Sequence, residues 1–91
     1  MDAITWKPSD AARPGTPRSA LPASVFAFPK ERKEPLIDAR HVRSAVARFS
    51  QVDGVDDSER TQAFANIKAA AAYYGVSLHA RTWRDLCRRS V

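Results

Sequence analysis

The sequence predicts an all-α domain: an antiparallel two-helix hairpin over about 38–51 and 57–74, an extended N-terminal strap and a short C-terminal helix over about 82–89. Two apolar stripes at helical spacing carry this prediction, Val42, Ala45, Val46 and Phe49 in the first and Phe64, Ile67, Ala71 and Tyr74 in the second. Each stripe has a capping residue at its start, and only a short acidic turn separates them. Phe26, Val46, Phe49, Phe64 and Ile67 are the expected shared interior.

Residues 1–20 read as a disordered tail and 21–91 as the helical domain. The tail holds Pro8, Pro14 and Pro17 with Gly15 and scattered charge, and proline biases both itself and its predecessor away from helix. Ile4 and Trp6 are its apolar exceptions, open to docking on the domain, to a partner or to plain exposure. Leu21 to Pro29 is apolar and bracketed by prolines. Its alternation of Val25 and Ala27 against Phe26 and Phe28 suits an extended strap across the helices, with both phenylalanines buried. Lys30 to Glu34 reads as a solvated charged connection closed by Pro35.

Asp38 is placed to accept amide hydrogen bonds at the start of the first helix, and Ile37 and Val42 occupy the two positions of a hydrophobic staple. Asp53-Gly54 marks the turn. Asp56 caps the second helix, Glu59 completes a capping box, and Asp57 and Glu59 suit the positive end of its dipole. The run Ala69 to Ala72 has the highest helix propensity. Gly75 suits the left-handed residue that ends a helix, with Val76 after it. Thr82 and Asp85 give a start signal for the last helix, which would turn Trp83, Leu86 and Cys87 inward and Arg84, Arg88 and Arg89 outward.

A chain of 91 residues with a core drawn from roughly 60–65 of them buries only about 60% of its unfolded surface. A deep substrate cleft is hard to build at that size. The formal charge is +5, from 15 basic and 10 acidic side chains, a balance that favours anionic partners. Genome composition alone also enriches small proteins in arginine. Cys87 is the one cysteine, which fits a reducing, cytoplasmic setting. Neither zinc spacing nor an apolar run of signal-peptide or membrane-spanning length is present in the sequence.

Asp38 and His41 invite an acid–base reading, but stabilising the helix start accounts for both, and the pattern offers neither a pocket nor a third group. The serines lack a nucleophile-elbow context, and three glycines make no phosphate loop. Cys87, flanked by Arg88, reads as a small core filler beside Trp83 rather than as a nucleophile. Tyr74 belongs to the core stripe and leaves Tyr73 for a partner. Arg40, Arg43, Arg48, Arg81, Arg84, Arg88 and Arg89 are the candidate contacts for an anionic partner. Ala71-x-x-x-Gly75-Val76-Ser77 also echoes the first helix and turn of a helix-turn-helix, although Thr82 falls about two residues late for it.

Three stretches together resemble a small helical domain of unassigned function in bacterial and phage proteins. These are Leu21-Pro22-x-Ser24-x-Phe26-Ala27, then Arg32-Lys33-x-Pro35-Leu36-x-Asp38-x-x-His41-Val42-Arg43-x-Ala45, then Ile67-Lys68-Ala69-Ala70-Ala71-x-x-Tyr74-Gly75-Val76. That domain occurs alone and as a C-terminal appendage of phage prohead-protease and other capsid-associated proteins. The resemblance covers Leu21 to Leu78 and implies a helical hairpin. It carries over no activity, because the protease of those proteins is a separate upstream domain with no counterpart here. The expected function is therefore a non-enzymatic binding or adaptor module for a protein partner, without cofactor or metal and away from membranes. The alternative is a nucleic-acid-binding module using the arginine faces.

Overall fold

Phe26 to Phe28 is a stretch of aromatic and small apolar residues that suits a strand buried on both faces, and it does not stand alone. The computed structural model, which describes residues 4–10, 13 and 15–87, pairs it as β1 (Phe26–Phe28) with β2 (Lys33–Pro35) in a two-stranded antiparallel sheet. Three α-helices follow: α1 (Ala39–Arg48), α2 (Asp57–Tyr74) and α3 (Trp83–Cys87). The all-α expectation is thus overturned. The chain is α+β, and the two helices expected as a bare hairpin pack on a β-hairpin as well as on each other.

The charged connection expected between strap and helix is itself the second strand. Phe26 faces Pro35 and Phe28 faces Lys33. Leu36 N donates to the Val25 carbonyl at 2.8 Å, and because antiparallel ladders alternate bonded and non-bonded pairs, Pro35 falls at a position where its missing N–H costs nothing. Arg32 (φ 54°) and Glu34 (φ 57°) take left-handed backbone conformations that close the turn and twist the strand. Arg32 is held there by its guanidinium, which donates to the carbonyls of Arg18 (3.0 Å) and Leu21 (2.7 Å) and lies 4.8 Å from the centre of the Phe26 ring.

The helix signals are realised at the expected residues. Asp38 accepts the His41 amide at 2.7 Å, and α1 runs on into a 3₁₀ turn over Phe49–Gln51. Asp56 and Glu59 form the reciprocal capping box, at 2.8 and 3.2 Å. Gly75 sits at φ 71°, and the Gly75 and Val76 amides both reach the Ala71 carbonyl. The last residues expected in this helix, Arg88 and Arg89, lie outside the described residues.

The interior is divided in two. A larger cluster gathers Phe28, Leu36, Val42, Phe49 and Ile67 with alanines of α1 and α2, and a smaller one gathers Leu21, Val25, Phe26 and Ile37. Ile37 and Val42, the expected staple, therefore fall in different clusters. Of the residues expected to share one interior, Phe49 and Ile67 do so. Val46 packs at its margin, and Phe26 belongs to the smaller cluster. Phe64, although buried, borders an open cleft.

Trp6 is only 6% exposed and belongs to the larger cluster, whereas Ile4 is exposed. The Trp6 indole N–H donates to the Leu36 carbonyl at 3.0 Å, and its ring meets Tyr73 and Tyr74 edge-on. Asn66 of α2, fully buried, fixes this segment: its Oδ1 accepts the Thr5 and Trp6 amides at 2.9 and 3.0 Å. Its Nδ2 donates to Thr5 Oγ1 and the Ala27 carbonyl at 3.0 and 2.9 Å. A buried amide with every hydrogen-bonding group used is a strong constraint on register.

Candidate functional site

Helix α2 buries more than one face. Ala63, Ile67 and Ala70 turn into the core, while Thr61, Phe64, Ala65 and Lys68 recur at the i, i+3, i+4, i+7 spacing of an adjacent face. That second face lines an open cleft of about 330 Å³ whose opposite wall is Arg81 to Arg84. Farther along, Lys68, Ala71 and Ala72 line a second hollow of about 200 Å³ against Val76 and Leu78. Lys68 stands between the two, so they form one groove between α2 and the segment 76–84.

The wall is fixed by a local turn. Asp85 N donates to the Thr82 carbonyl at 3.1 Å, and the Asp85 carboxylate accepts the Arg81 and Thr82 amides at 2.8 and 3.3 Å. Thr82 and Asp85, expected as a helix start, thus build the turn that presents Trp83. Arg84 lies 4.5 Å and Arg60 5.6 Å from the centre of the Trp83 ring, and Lys68 Nζ lies 6.0 Å from that of Phe64. Arg60 is also paired with Asp57 at 2.9 Å. Among the described residues none of Lys68, Arg81 and Arg84 is paired with a carboxylate. The groove therefore has an aromatic and alanine floor under a cationic rim.

Among the described residues, the arginines singled out in the sequence do not form one face. Arg81 and Arg84 are on the groove. Arg40 and Arg43 are exposed on α1. Arg48 lines a shallow hollow with Lys33, Glu34, Gln51 and Asp53. Burial holds Glu34 above the usual carboxylate range even though Arg48, Arg18 and Lys33 oppose it. Arg88 and Arg89 lie outside the described residues. Sequence reasoning missed Lys68. It turned Phe64 and Trp83 inward, and Phe64 is buried and Trp83 half-buried against the larger cluster, but both also border the cleft. The signal that marks them is the surplus of apolar positions on α2 beyond one helical face.

The other candidate chemistry resolves into structure. His41 Nδ1 lies 2.7 Å from Asp38 Oδ1. Burial would raise the Asp38 carboxyl, but hydrogen bonds from the His41 amide and ring, with the charges of His41 and Arg40, outweigh it and hold the group below its ordinary range. Tyr74 is pushed up, by burial first and then by Tyr73 and Asp38. Cys87 is half-buried against the larger cluster. Among the described residues no group of three or more His, Cys, Asp or Glu side chains could hold a metal ion, and no helix is long and apolar enough to cross a membrane.

The fold and site are those of a small α+β domain with a buried N-terminal anchor and an open basic groove. The chain belongs to a family of unknown function, DUF6582, which it matches over residues 5–81. The match takes in Thr5 and Trp6 and ends at Arg81, so α3 lies beyond it. No curated protein and no solved structure matches the chain.

Proposed function

We propose that this domain is a non-enzymatic binding module that recruits a protein partner in a reducing, cytoplasmic setting. The observation that carries this reading is the groove beside α2. Its floor of Phe64, Ala65 and the half-buried Trp83, whose ring carries the Arg60 and Arg84 guanidinium groups, borders an open cleft. A concave apolar surface with a few charged groups at its rim is the default place for a binding site. The family resemblance makes capsid and prohead-protease proteins the first partners to test.

The test is affinity capture with the intact chain and with a Lys68→Glu, Arg84→Glu variant, followed by reconstitution of the identified partner with purified protein. A partner that binds the intact chain at a one-to-one ratio supports the reading. Failure of every identified candidate, capsid proteins included, to bind the purified chain overturns it.

Arg40 and Arg43, exposed on α1, favour a second reading in which this face contacts phosphates. Duplex DNA binding that weakens steeply between 50 and 200 mM salt, as counterion release requires, would support it. No binding at the lower salt overturns it.

A further inference from the structure

We infer that the groove between α2 and residues 76–84 takes a short acidic peptide in extended form, with apolar side chains between its carboxylates. The inference deepens the protein-binding reading and rests on it. Along α2 the lining runs from Thr61 to Ala72, roughly 16 Å at 1.5 Å per residue. An extended strand rises about 3.3 Å per residue, so about five residues fill that length. The hollows on either side of Lys68 accept two side chains from the same edge of such a strand. The larger hollow has the rings of Phe64 and Trp83, and the smaller has Ala71, Ala72, Val76 and Leu78.

Charge decides the character of the peptide. Lys68 stands at the junction of the hollows, with Arg81 and Arg84 on the facing wall. The nearby carboxylates are already engaged, Asp57 by Arg60 and Asp85 by the amides of the wall. Successive side chains of an extended peptide point to opposite faces, so two apolar residues enter the hollows and the carboxylates between them lie at the rim, where the long exposed side chains of Lys68, Arg81 and Arg84 reach them. A single-stranded nucleic acid fits less well. Base stacking needs an open aromatic face, and Trp83 already has the Arg84 and Arg60 guanidinium groups over its ring. A guanidinium stacked on a ring keeps its N–H edges for bidentate carboxylate recognition, and of the two Arg84 has no carboxylate partner among the described residues.

The experiment is a titration of the isotopically labelled full chain followed by amide NMR. The probe is a synthetic pentapeptide alternating glutamate with leucine or phenylalanine. The controls are the same peptide with glutamine for glutamate and a mixed-sequence single-stranded oligonucleotide. The expected result is saturable shifts confined to 61–72 and 76–84. Binding should weaken by roughly tenfold for the glutamine peptide and for Lys68→Glu or Arg84→Glu, as loss of a partly desolvated charge pair implies. Because Lys68 and Arg84 are exposed, the variants are expected to fold, and their amide spectra report it. Absence of shifts at millimolar peptide, shifts on α1 instead, or tighter binding by the oligonucleotide at the same residues overturns the inference. A reconstituted protein partner that binds Lys68→Glu as well as the unaltered chain overturns the groove assignment but leaves the protein-binding module standing.

Discussion

The side-chain oxygen of Asn66 accepts the backbone N–H of Trp6 at 3.0 Å, across sixty residues of sequence. That one contact ties the start of the chain to the middle of α2, and the Asn66 amide nitrogen ties the same helix to β1 through Ala27. The groove depends on this arrangement indirectly. With one face of α2 holding the core and Asn66 holding the N-terminal segment, the Phe64–Lys68 face is left to meet residues 76–84.

Asn66→Ala should be among the most damaging substitutions in the domain. It strands the buried Trp6 amide and removes the amide partner of the Ala27 carbonyl, and each buried group left unpaired costs about 1–3 kcal/mol. A loss of about 3 kcal/mol lowers the melting temperature of a domain this size by roughly 12–24 °C. The Trp6 indole proton should also lose protection from exchange, since its bond to Leu36 depends on the anchored segment. A melting temperature within a few degrees of the unaltered chain, with the indole still protected, would show that the anchor is dispensable.

At position 32 glycine should be tolerated better than alanine. Both variants lose the guanidinium bonds to Arg18 and Leu21 and the stacking on Phe26, but only alanine keeps a Cβ at φ 54°. Relief of that left-handed strain favours glycine by about 1 kcal/mol. Chemical denaturation of the two variants side by side reads the difference. Alanine equal to or more stable than glycine would contradict the strained turn.

The helices were legible because their signals are local: Asp38 and Asp56 at the starts, Gly75 at the end, alanines between. The β-hairpin was not, because Lys33, Glu34 and Pro35 carry no strand preference. They are held beside β1 by pairing with Phe26 and Phe28 and by the packing beneath them, with Glu34 left-handed, so tertiary context overrides propensity. Asn66 looks in sequence like an ordinary polar residue of an alanine-rich helix, and its role exists only once Thr5, Trp6 and Ala27 surround it. Half of the groove was legible. Arg81 and Arg84 stood out by charge, whereas Phe64 and Trp83 resemble core residues until the two faces of α2 are told apart.

Stability should respond to pH in opposite senses at Asp38 and Glu34. The Asp38 carboxyl is held low in the folded chain, so its contribution is present above the unfolded value and is lost as pH falls through the folded one. Glu34 is held high by burial, so the folded chain binds its proton more readily and stability is lost as pH rises through that value. Asp38→Asn should therefore cost stability at pH 7 and converge on the unaltered chain in acid. Glu34→Gln should match it in acid and gain on it towards pH 7. Denaturation midpoints measured from pH 3 to 7 distinguish the two, and parallel curves for both variants would refute the assignment.

Glu59→Gln should stabilise the domain at neutral pH although it removes a charge favourable to the α2 dipole. Glu59 Oε1 accepts the Asp56 amide in the capping box, and glutamine supports that box equally well. The other oxygen, Oε2, is buried without a hydrogen-bond donor. Glu31 lies against the same side chain, its carboxyl raised first by hydrogen bonding to Glu59, then by burial and by the charge of Glu59. Once Glu31 is ionised, the two facing carboxylates have no proton to share between them. The glutamine Nε2 supplies the missing donor to Glu31 and removes the repulsion while Oε1 keeps its amide. Most of Glu31 is solvated, so the gain is limited to about 1 kcal/mol. It should shrink in acid, where Glu31 holds its own proton. Thermal denaturation at pH 7 and at pH 3.5 tests this, and a Glu59→Gln chain that melts lower than the unaltered one at pH 7 would mean that the dipole outweighs the carboxyl pair.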